Sequence, residues 1–201
     1  MKSRIKVLII GLVFICLAGF YAVIDKAVSI YDTEYDTSEF QSITLEEGKT
    51  LSQTFVCAEE YIDGISLKIA ADNVSDNKQA VIAYELIDVQ SGASVVKSEF
   101  NLDGLSSGKF LKVKFDRVSD SRNNEYTLKL SLAECPEGSV RLFYTPGTGA
   151  DTELNYGGDN VDGIAVVRTL THGFDLETFV VTLCFMAYII LFMRWLYKLF
   201  K

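Results

Sequence analysis

Two kinds of pattern run along this chain, and the change between them divides it. Residues 7–24 are uncharged and almost wholly apolar, and residues 179–193 repeat that character. Between them the period is two. Ile65, Leu67 and Ile69 alternate with Ser66 and Lys68, and Ile82, Tyr84 and Leu86 with Ala83 and Glu85. Leu111, Val113 and Phe115 alternate with Lys112 and Lys114; Tyr126, Leu128, Leu130 and Leu132 alternate with Thr127, Lys129 and Ser131. Such alternation marks a half-buried strand. Further strands are expected at 40–45, 51–56, 94–101, 140–144 and 164–170, set apart by turn clusters such as Glu46-Glu47-Gly48-Lys49, Gln90-Ser91-Gly92 and 120–124. No stretch between Phe40 and Thr171 sustains a helical period. The fold class that follows is mainly β, an antiparallel jelly-roll β-sandwich flanked by two transmembrane α-helices, with an up-and-down barrel as the alternative closure.

A membrane helix needs about 20 apolar residues at about 1.5 Å each. The 7–24 run nearly suffices, with Lys6 snorkelling at its end. The alternative is a cleaved secretory signal, but the run is longer than such an apolar region and Ala18-Gly19-Phe20 is a poor cleavage site. The 179–193 run continues as Arg194-Trp195-Leu196-Tyr197-Lys198, an interfacial aromatic belt beside bases. It has no polar face, which argues against a helix lying on the membrane surface. The expected division is 1–25 as the first transmembrane helix, 26–39 as an acidic stalk, 40–171 as the sandwich, and 172–201 as the second helix with a basic tail.

Charge sharpens the topology. The chain has 201 residues and a net charge of −8. All 27 acids lie between Asp25 and Glu177 with 13 of the 19 bases, so that segment carries −14. The ends hold only bases: Lys2, Arg4 and Lys6 at one, Arg194, Lys198 and Lys201 at the other. The positive-inside rule then puts both termini in the cytoplasm and the acidic centre outside the cell membrane. A centre of that sign will not take nucleic acid; the bilayer is the first partner. Neither span contains an intramembrane charge, which argues against transport.

Cys16 and Cys184 fall inside the spans and read as apolar fillers. Cys57 and Cys135 fall in the exported part, where a disulfide can form. The bridge is expected, with two unjoined buried thiols as the alternative. No C-x-x-C spacing supports zinc or thiol-redox chemistry.

At this point the order Gln53-Thr54-Phe55, Gly64-Ile65-Ser66-Leu67, Tyr84-Glu85-Leu86, 110–115, Tyr126-Thr127-Leu128 and Leu142-Phe143-Tyr144 carries a likeness. It closes on a Gly157-rich turn and a strand ending Arg168-Thr169. This order resembles the extracytoplasmic carbohydrate-binding-like jelly-roll module of Gram-positive membrane proteins associated with surface-polysaccharide glycosyltransferases. The resemblance spans about 51–169 and implies a fold rather than a catalytic set. Here the module sits between two apolar runs, with no multi-span glycosyltransferase attached.

Candidate chemistry is sparse. His172 is the sole histidine, no G-x-S-x-G exists, and the acids have no paired spacing, so an enzyme is not expected. Asp151, Asp159, Asn160 and Asp162 lie close enough in sequence to suit calcium, although Gly/Asp/Asn runs also make plain turns. No other cofactor is expected. Sugar binding uses aromatic faces flanked by polar groups. Tyr144 and Tyr156, with Asn155 and Asn160, are the best platform, and Arg141 and Arg168 could hold an anionic sugar or phosphate; each also reads as an ordinary sheet residue. Asn73-Val74-Ser75 is a glycosylation sequon. The function expected is a double-pass accessory protein whose extracellular sandwich binds cell-envelope glycan or docks on a membrane protein of polysaccharide synthesis. The alternative is a structural subunit acting by protein contact alone.

Overall fold

The computed structural model describes residues 2–72, 80–102, 108–135, 138–147, 149 and 152–200. The sequon 73–75 and Asp151 lie outside them. The elements in chain order are α1 (Lys2–Tyr21), β1 (Val23–Ser29), a 3-10 turn (Thr37–Glu39), β2 (Gln41–Leu45), β3 (Thr50–Val56), β4 (Tyr61–Asp72), β5 (Val81–Asp88) and β6 (Ser94–Asn101). They continue as β7 (Lys109–Ser119), β8 (Glu125–Glu134), β9 (Ser139–Pro146), β10 (Glu153–Tyr156), β11 (Asp159–Val161), β12 (Gly163–Ala165), β13 (Val167–Phe174) and α2 (Leu176–Leu199). The chain divides into two compact units, Ala27–Thr171 and a helical unit of 1–26 with 172–201.

In the β unit the pairing is antiparallel throughout the named registers, in two sheets. One has the order β1-β13-β4-β9-β12, with β2 on β9 and β7 on β4; the other runs β11-β10-β3-β8-β5-β6. The alternating positions close on one core. Leu51 and Phe55 of β3, Ile82 and Leu86 of β5, and Leu128 and Leu130 of β8 meet Ile65, Leu67 and Ile69 of β4, Leu142 of β9 and Val167 of β13 in a single buried cluster. A mainly-β sandwich is therefore present. The apolar stretch 164–170 is not one strand. At Val166 the chain changes neighbour: the Val166 N–H donates to Phe143 O at 2.8 Å, and Val166 O accepts from Lys68 N at 3.0 Å.

Two expectations change here. The stalk is not free of the fold, since the compact unit begins at Ala27; Tyr31 is buried, and Ile30 and Phe40 pack beside it. The stretch around the Gly157-rich turn, for which the sequence predicts no strand, is a hairpin, β10–β11, closed by Gly157 and Gly158 at φ 63° and 98°. Positive φ at both turn positions matches the twist of a two-residue hairpin, and glycine adopts it without strain.

The expected Cys57–Cys135 disulfide is absent; the two thiols are not joined. Register supplies the reason. Val56 pairs with Glu125, so Cys57 lies at the start of β8, whereas Cys135 follows its last residue, Glu134. Ten residues at about 3.3 Å each separate the two ends by roughly 30 Å, against a Cα separation under about 7 Å for a bridge. Burial instead raises the pKa of both thiols.

In the helical unit, α2 is long and apolar enough to cross a membrane, at 24 residues and so about 36 Å. None of its residues is buried. Asp175 caps it, its carboxylate accepting from Thr178 N at 2.7 Å and pairing with Lys26. Among the described residues α2 alone passes that test; the first apolar run is not helical throughout. It leaves the helix after Tyr21, and Val23 and Ile24 enter β1.

Candidate functional site: an aromatic and cationic sheet face

The residues expected to bind a sugar are placed on both sheets. Asn155 and Tyr156 of β10 lie opposite Asn160 and Asp159 of β11, so the hairpin does gather them at a sheet edge. The Tyr156 hydroxyl is committed within the chain, however, accepting from Glu46 N at 2.8 Å and donating to Thr44 O at 2.9 Å. Asn155 Nδ2 donates to Glu153 Oε1 at 3.0 Å. Tyr144 sits on β9 of the other sheet, where its hydroxyl donates to Gln41 Oε1 at 2.6 Å. Both tyrosines thus act as clamps. Asp159 and Asp162 are exposed, and among the described residues no three His, Cys, Asp or Glu side chains come together as a metal site.

Arg168 leads elsewhere. In β13 it lies opposite Ser66 of β4, and Ser66 lies opposite Lys112 of β7; Lys68 lies opposite Phe110. Facing residues of an antiparallel pair project to the same side. Ser66, Lys68, Ala70 and Asp72 therefore share the outer face with Arg168, with Phe110, Lys112 and Lys114 of β7, and with Arg141, which pairs Ala70 from β9. The inner face carries the core side chains Ile65, Leu67, Ile69, Val113 and Leu142.

On that outer face five side chains close a ring. The Arg168 guanidinium carbon stands 3.9 Å from the Phe110 ring centroid, and Lys68 Nζ lies 5.9 Å from the same ring. Lys68 Nζ also lies 4.4 Å from the Phe40 ring. Phe40 meets Tyr31 edge to face, at 6.0 Å and 86°, and the Tyr31 hydroxyl accepts from an Arg168 NH2 nitrogen at 3.1 Å. Phe143 adds a third ring to Lys68 at 5.6 Å. Each cation meets a ring face, where the quadrupole is negative. The apolar floor is Ile164 and Val166, and Ala70 and Ser66 are almost fully covered. Phe40, Phe110 and Phe143 remain half-buried, as does Lys68.

The electrostatics of this face are unusual for so acidic a chain. Arg141 Nε bonds Asp72 Oδ2 at 2.6 Å, and that hydrogen bond holds the Asp72 carboxyl below its usual range. Lys68, Lys112, Lys114 and Arg168 make no ion pair among the described residues. Arg168 Nε is buried and has no acceptor among the described residues. Of this group the residues alone had pointed to Arg168 and Arg141; Lys68, Phe40, Phe110, Phe143 and Tyr31 emerge only from the pairing. The signal that could have found them is the polar-and-aromatic outward set of neighbouring strands, Ser66/Lys68 beside Phe110/Lys112/Lys114.

No family model matches the chain, and no curated protein matches it. Among solved structures it is similar to the cysteine protease and lectin-like domains of Cwp84, a surface layer associated protein of Clostridium difficile, at 13% identity and a TM-score of 0.43. That match covers 69% of this chain but only 37% of the other, so the chain spans little more than a third of it. It is also similar to TmCBM61 in complex with beta-1,4-galactotriose, at 14% identity and a TM-score of 0.30, over 65% of this chain and 87% of that one. The Yersinia pseudotuberculosis-derived mitogen is similar at 12% identity and a TM-score of 0.28, over 56% and 91%.

Proposed function

We propose that this protein is a non-catalytic recognition module of the cell envelope, whose β-sandwich binds glycan at the outer face of the seven-stranded sheet. The observation that supports it is the row of half-buried rings, Phe40, Phe110 and Phe143, set around Lys68 on a sheet face that in an isolated domain would be polar. Flat aromatic faces stack on sugar rings, and the surrounding ammonium and hydroxyl groups offer hydrogen bonds. In this reading α2 tethers the module to the membrane and α1 supplies a second tether. Both termini lie in the cytoplasm, the sandwich lies outside, and a membrane protein of polysaccharide synthesis is its partner.

The test is a glycan array with the full chain in nanodiscs, against Phe110→Ala and Phe143→Ala. Binding to an envelope polysaccharide that either substitution weakens about tenfold, with little change in melting temperature, is the expected result. No binding to any envelope polysaccharide would overturn it. The topology is tested separately by Arg122→Cys, since Arg122 is exposed in the 120–124 turn whereas its neighbour Ser121 is fully buried. A membrane-impermeant maleimide should label that cysteine on intact cells, and failure to do so would refute an outside sandwich.

A structural reading also has an observation behind it. The ring closes over Ser66, Ala70 and Val166 and so holds residues 30–40 against the sheet. Under that reading the phenylalanine variants lose stability and affect no glycan.

A further inference from the structure

We infer that the glycan is anionic, a polymer carrying carboxylate or phosphate groups, and that Lys68, Lys112 and Lys114 read those groups beside Arg168. This rests on the glycan reading above and narrows its substrate class. The first argument is charge distribution. Between Asp25 and Glu177 acids outnumber bases 27 to 13. On the paired outer positions of β4, β7, β9 and β13 the balance inverts: Lys68, Lys112, Lys114, Arg141 and Arg168 stand with Asp72, which Arg141 already holds. Asp63, paired with Arg117, lies at the register shift, and the exposed acids Asp116, Asp32, Glu34, Asp36 and Glu39 lie outside these pairs. Excess acid elsewhere repels anions, and a local excess of cations attracts them.

The second argument is what the cations do inside the chain. A structural lysine or arginine on a sheet ordinarily meets a carboxylate. Lys68 and Arg168 meet rings, which orient a cation and leave its charge in place. Two like charges are held in one closed ring, and Lys112 and Lys114 extend the row along β7 into solvent. The buried Arg168 Nε adds a donor whose demand no group among the described residues meets. The half-buried rings exclude water beside these groups, which strengthens a charge-assisted hydrogen bond to an arriving anion. A neutral sugar would gain little from four cations that make no ion pair among the described residues. An anionic membrane surface shares the charge but fits the rings poorly. Surface-lying elements insert free Trp, Phe or Leu, whereas Phe40 is locked edge to face on Tyr31 and Phe110 lies under the guanidinium of Arg168.

The test uses the full chain in phosphatidylcholine nanodiscs, titrated with polygalacturonate, poly(glycerol phosphate) and dextran, and separately with phosphatidylserine-containing vesicles. Binding of at least one polyanion is expected, with none of dextran, and with marked weakening as salt rises to physiological strength. Lys112→Glu/Lys114→Glu, both at exposed positions, should weaken that binding more than tenfold while melting like the wild type. The polygalacturonate and poly(glycerol phosphate) arms separate a carboxylate reader from a phosphate reader. Dextran or another neutral envelope glycan binding as tightly as the polyanions, or an unchanged double variant, would overturn the inference and leave glycan recognition standing. Binding to no polymer, charged or neutral, would overturn both; if vesicles alone bind, and the double variant abolishes that, the face is a membrane contact instead.

Discussion

Gln53 should be the most consequential polar side chain in the core. It occupies an inward position of β3, between Leu51 and Phe55, and is fully buried. Its Oε1 accepts from Ala165 N of β12 at 2.7 Å, and its Nε2 donates to Thr54 O at 2.9 Å and Glu153 O at 3.3 Å. One side chain thus ties the two sheets together, standing in for a ladder bond that neither sheet can give to the other. Gln53→Met keeps the volume and removes all three bonds. The carbonyls of Thr54 and Glu153 lie in the β3–β10 ladder, but the Ala165 N–H, on a fully buried residue, loses its acceptor. An orphaned buried donor costs about 1–3 kcal/mol, and the weaker lost bonds add about 0.5–1 kcal/mol. The expected loss is about 2–3 kcal/mol, or a fall of roughly 5–10 °C in melting temperature for a domain of this size. Circular dichroism melts of the full chain in micelles measure it. Gln53→Glu gives an independent check. It keeps an acceptor for Ala165 but turns a second oxygen on two carbonyls, so burial raises its carboxyl pKa in the folded state. A raised carboxyl pKa penalises folding in full above the folded-state pKa, and the penalty fades as pH falls toward the ordinary carboxylate pKa of about 4. The Glu variant should therefore approach wild type on acidification while the deficit of the Met variant stays constant. A Met variant melting within a degree of wild type, or a Glu variant indifferent to pH, would refute the account.

Reducing agent should leave the melting temperature unchanged, and Cys57→Ser/Cys135→Ser should show no loss of a cross-link; a fall of several degrees in dithiothreitol would mean the thiols do pair. Gly163→Ala should cost about 2 kcal/mol or more in a denaturant titration, because its Cβ would stand 2.4 Å from Tyr144 Cδ2 and 2.7 Å from the backbone oxygen of Thr145; wild-type stability would exclude that contact. The Asp175 carboxyl is held down to about 2, first by Lys26 and then by Thr178 N. Its capping contribution is complete above the ordinary carboxylate pKa of about 4 and is lost as pH falls toward 2. Hydrogen exchange at the Thr178 amide should follow that fall and be fast at every pH in Asp175→Ala, whereas equal protection in the variant would show that the cap is inert.

Much of the sandwich was legible because its strands are half-buried. The expected 51–56, 94–101 and 140–144 became Thr50–Val56, Ser94–Asn101 and Ser139–Pro146. Legibility failed where an apolar run lacks alternation or the run is short. Val23 and Ile24 extend an apolar run although β1 has no buried residue, and nothing in composition separates the last turn of a helix from the first residues of such a strand. The β10–β11 hairpin has only Leu154, Tyr156 and Val161 to carry an alternation, although Gly157-Gly158 between them was a usable turn signal. The cysteines failed for a different reason. Their compartment was a fair inference, but strand pairing decides distance, and it sends the chain away from Cys57 along the whole of β8 before reaching Cys135. Tyr144 and Tyr156 were rightly picked as aromatic and near polar groups, yet the direction of a hydroxyl is settled by partners about a hundred residues away.

The candidate face shows why a site of this type stays hidden in a sequence whose strands are plain. Each member reads locally as ordinary: Lys68 and Lys112 as outward lysines, Phe110 as the start of a strand, Tyr31 as a stalk residue. Their meaning comes from register between β4 and β7, and that register has an identifiable anchor. The pairing shifts between Ile62 and Gly64, and at Gly64 a Cβ would lie 2.7 Å from Val113 O. No side chain fits there, so glycine alone lets β7 close in at that point, and from it the pairing runs unshifted to Ser66 with Lys112 and Lys68 with Phe110. A slip of one residue would turn Leu111, Val113 and Phe115 outward and bury the lysines. The hydrophobic demand of the core therefore forbids the slip, and the same constraint that packs Val113 beneath the sheet holds Phe110 and the lysines above it. Core and face are two readings of one alternation, which is why a pattern seen only as fold evidence also carried the arrangement of the site.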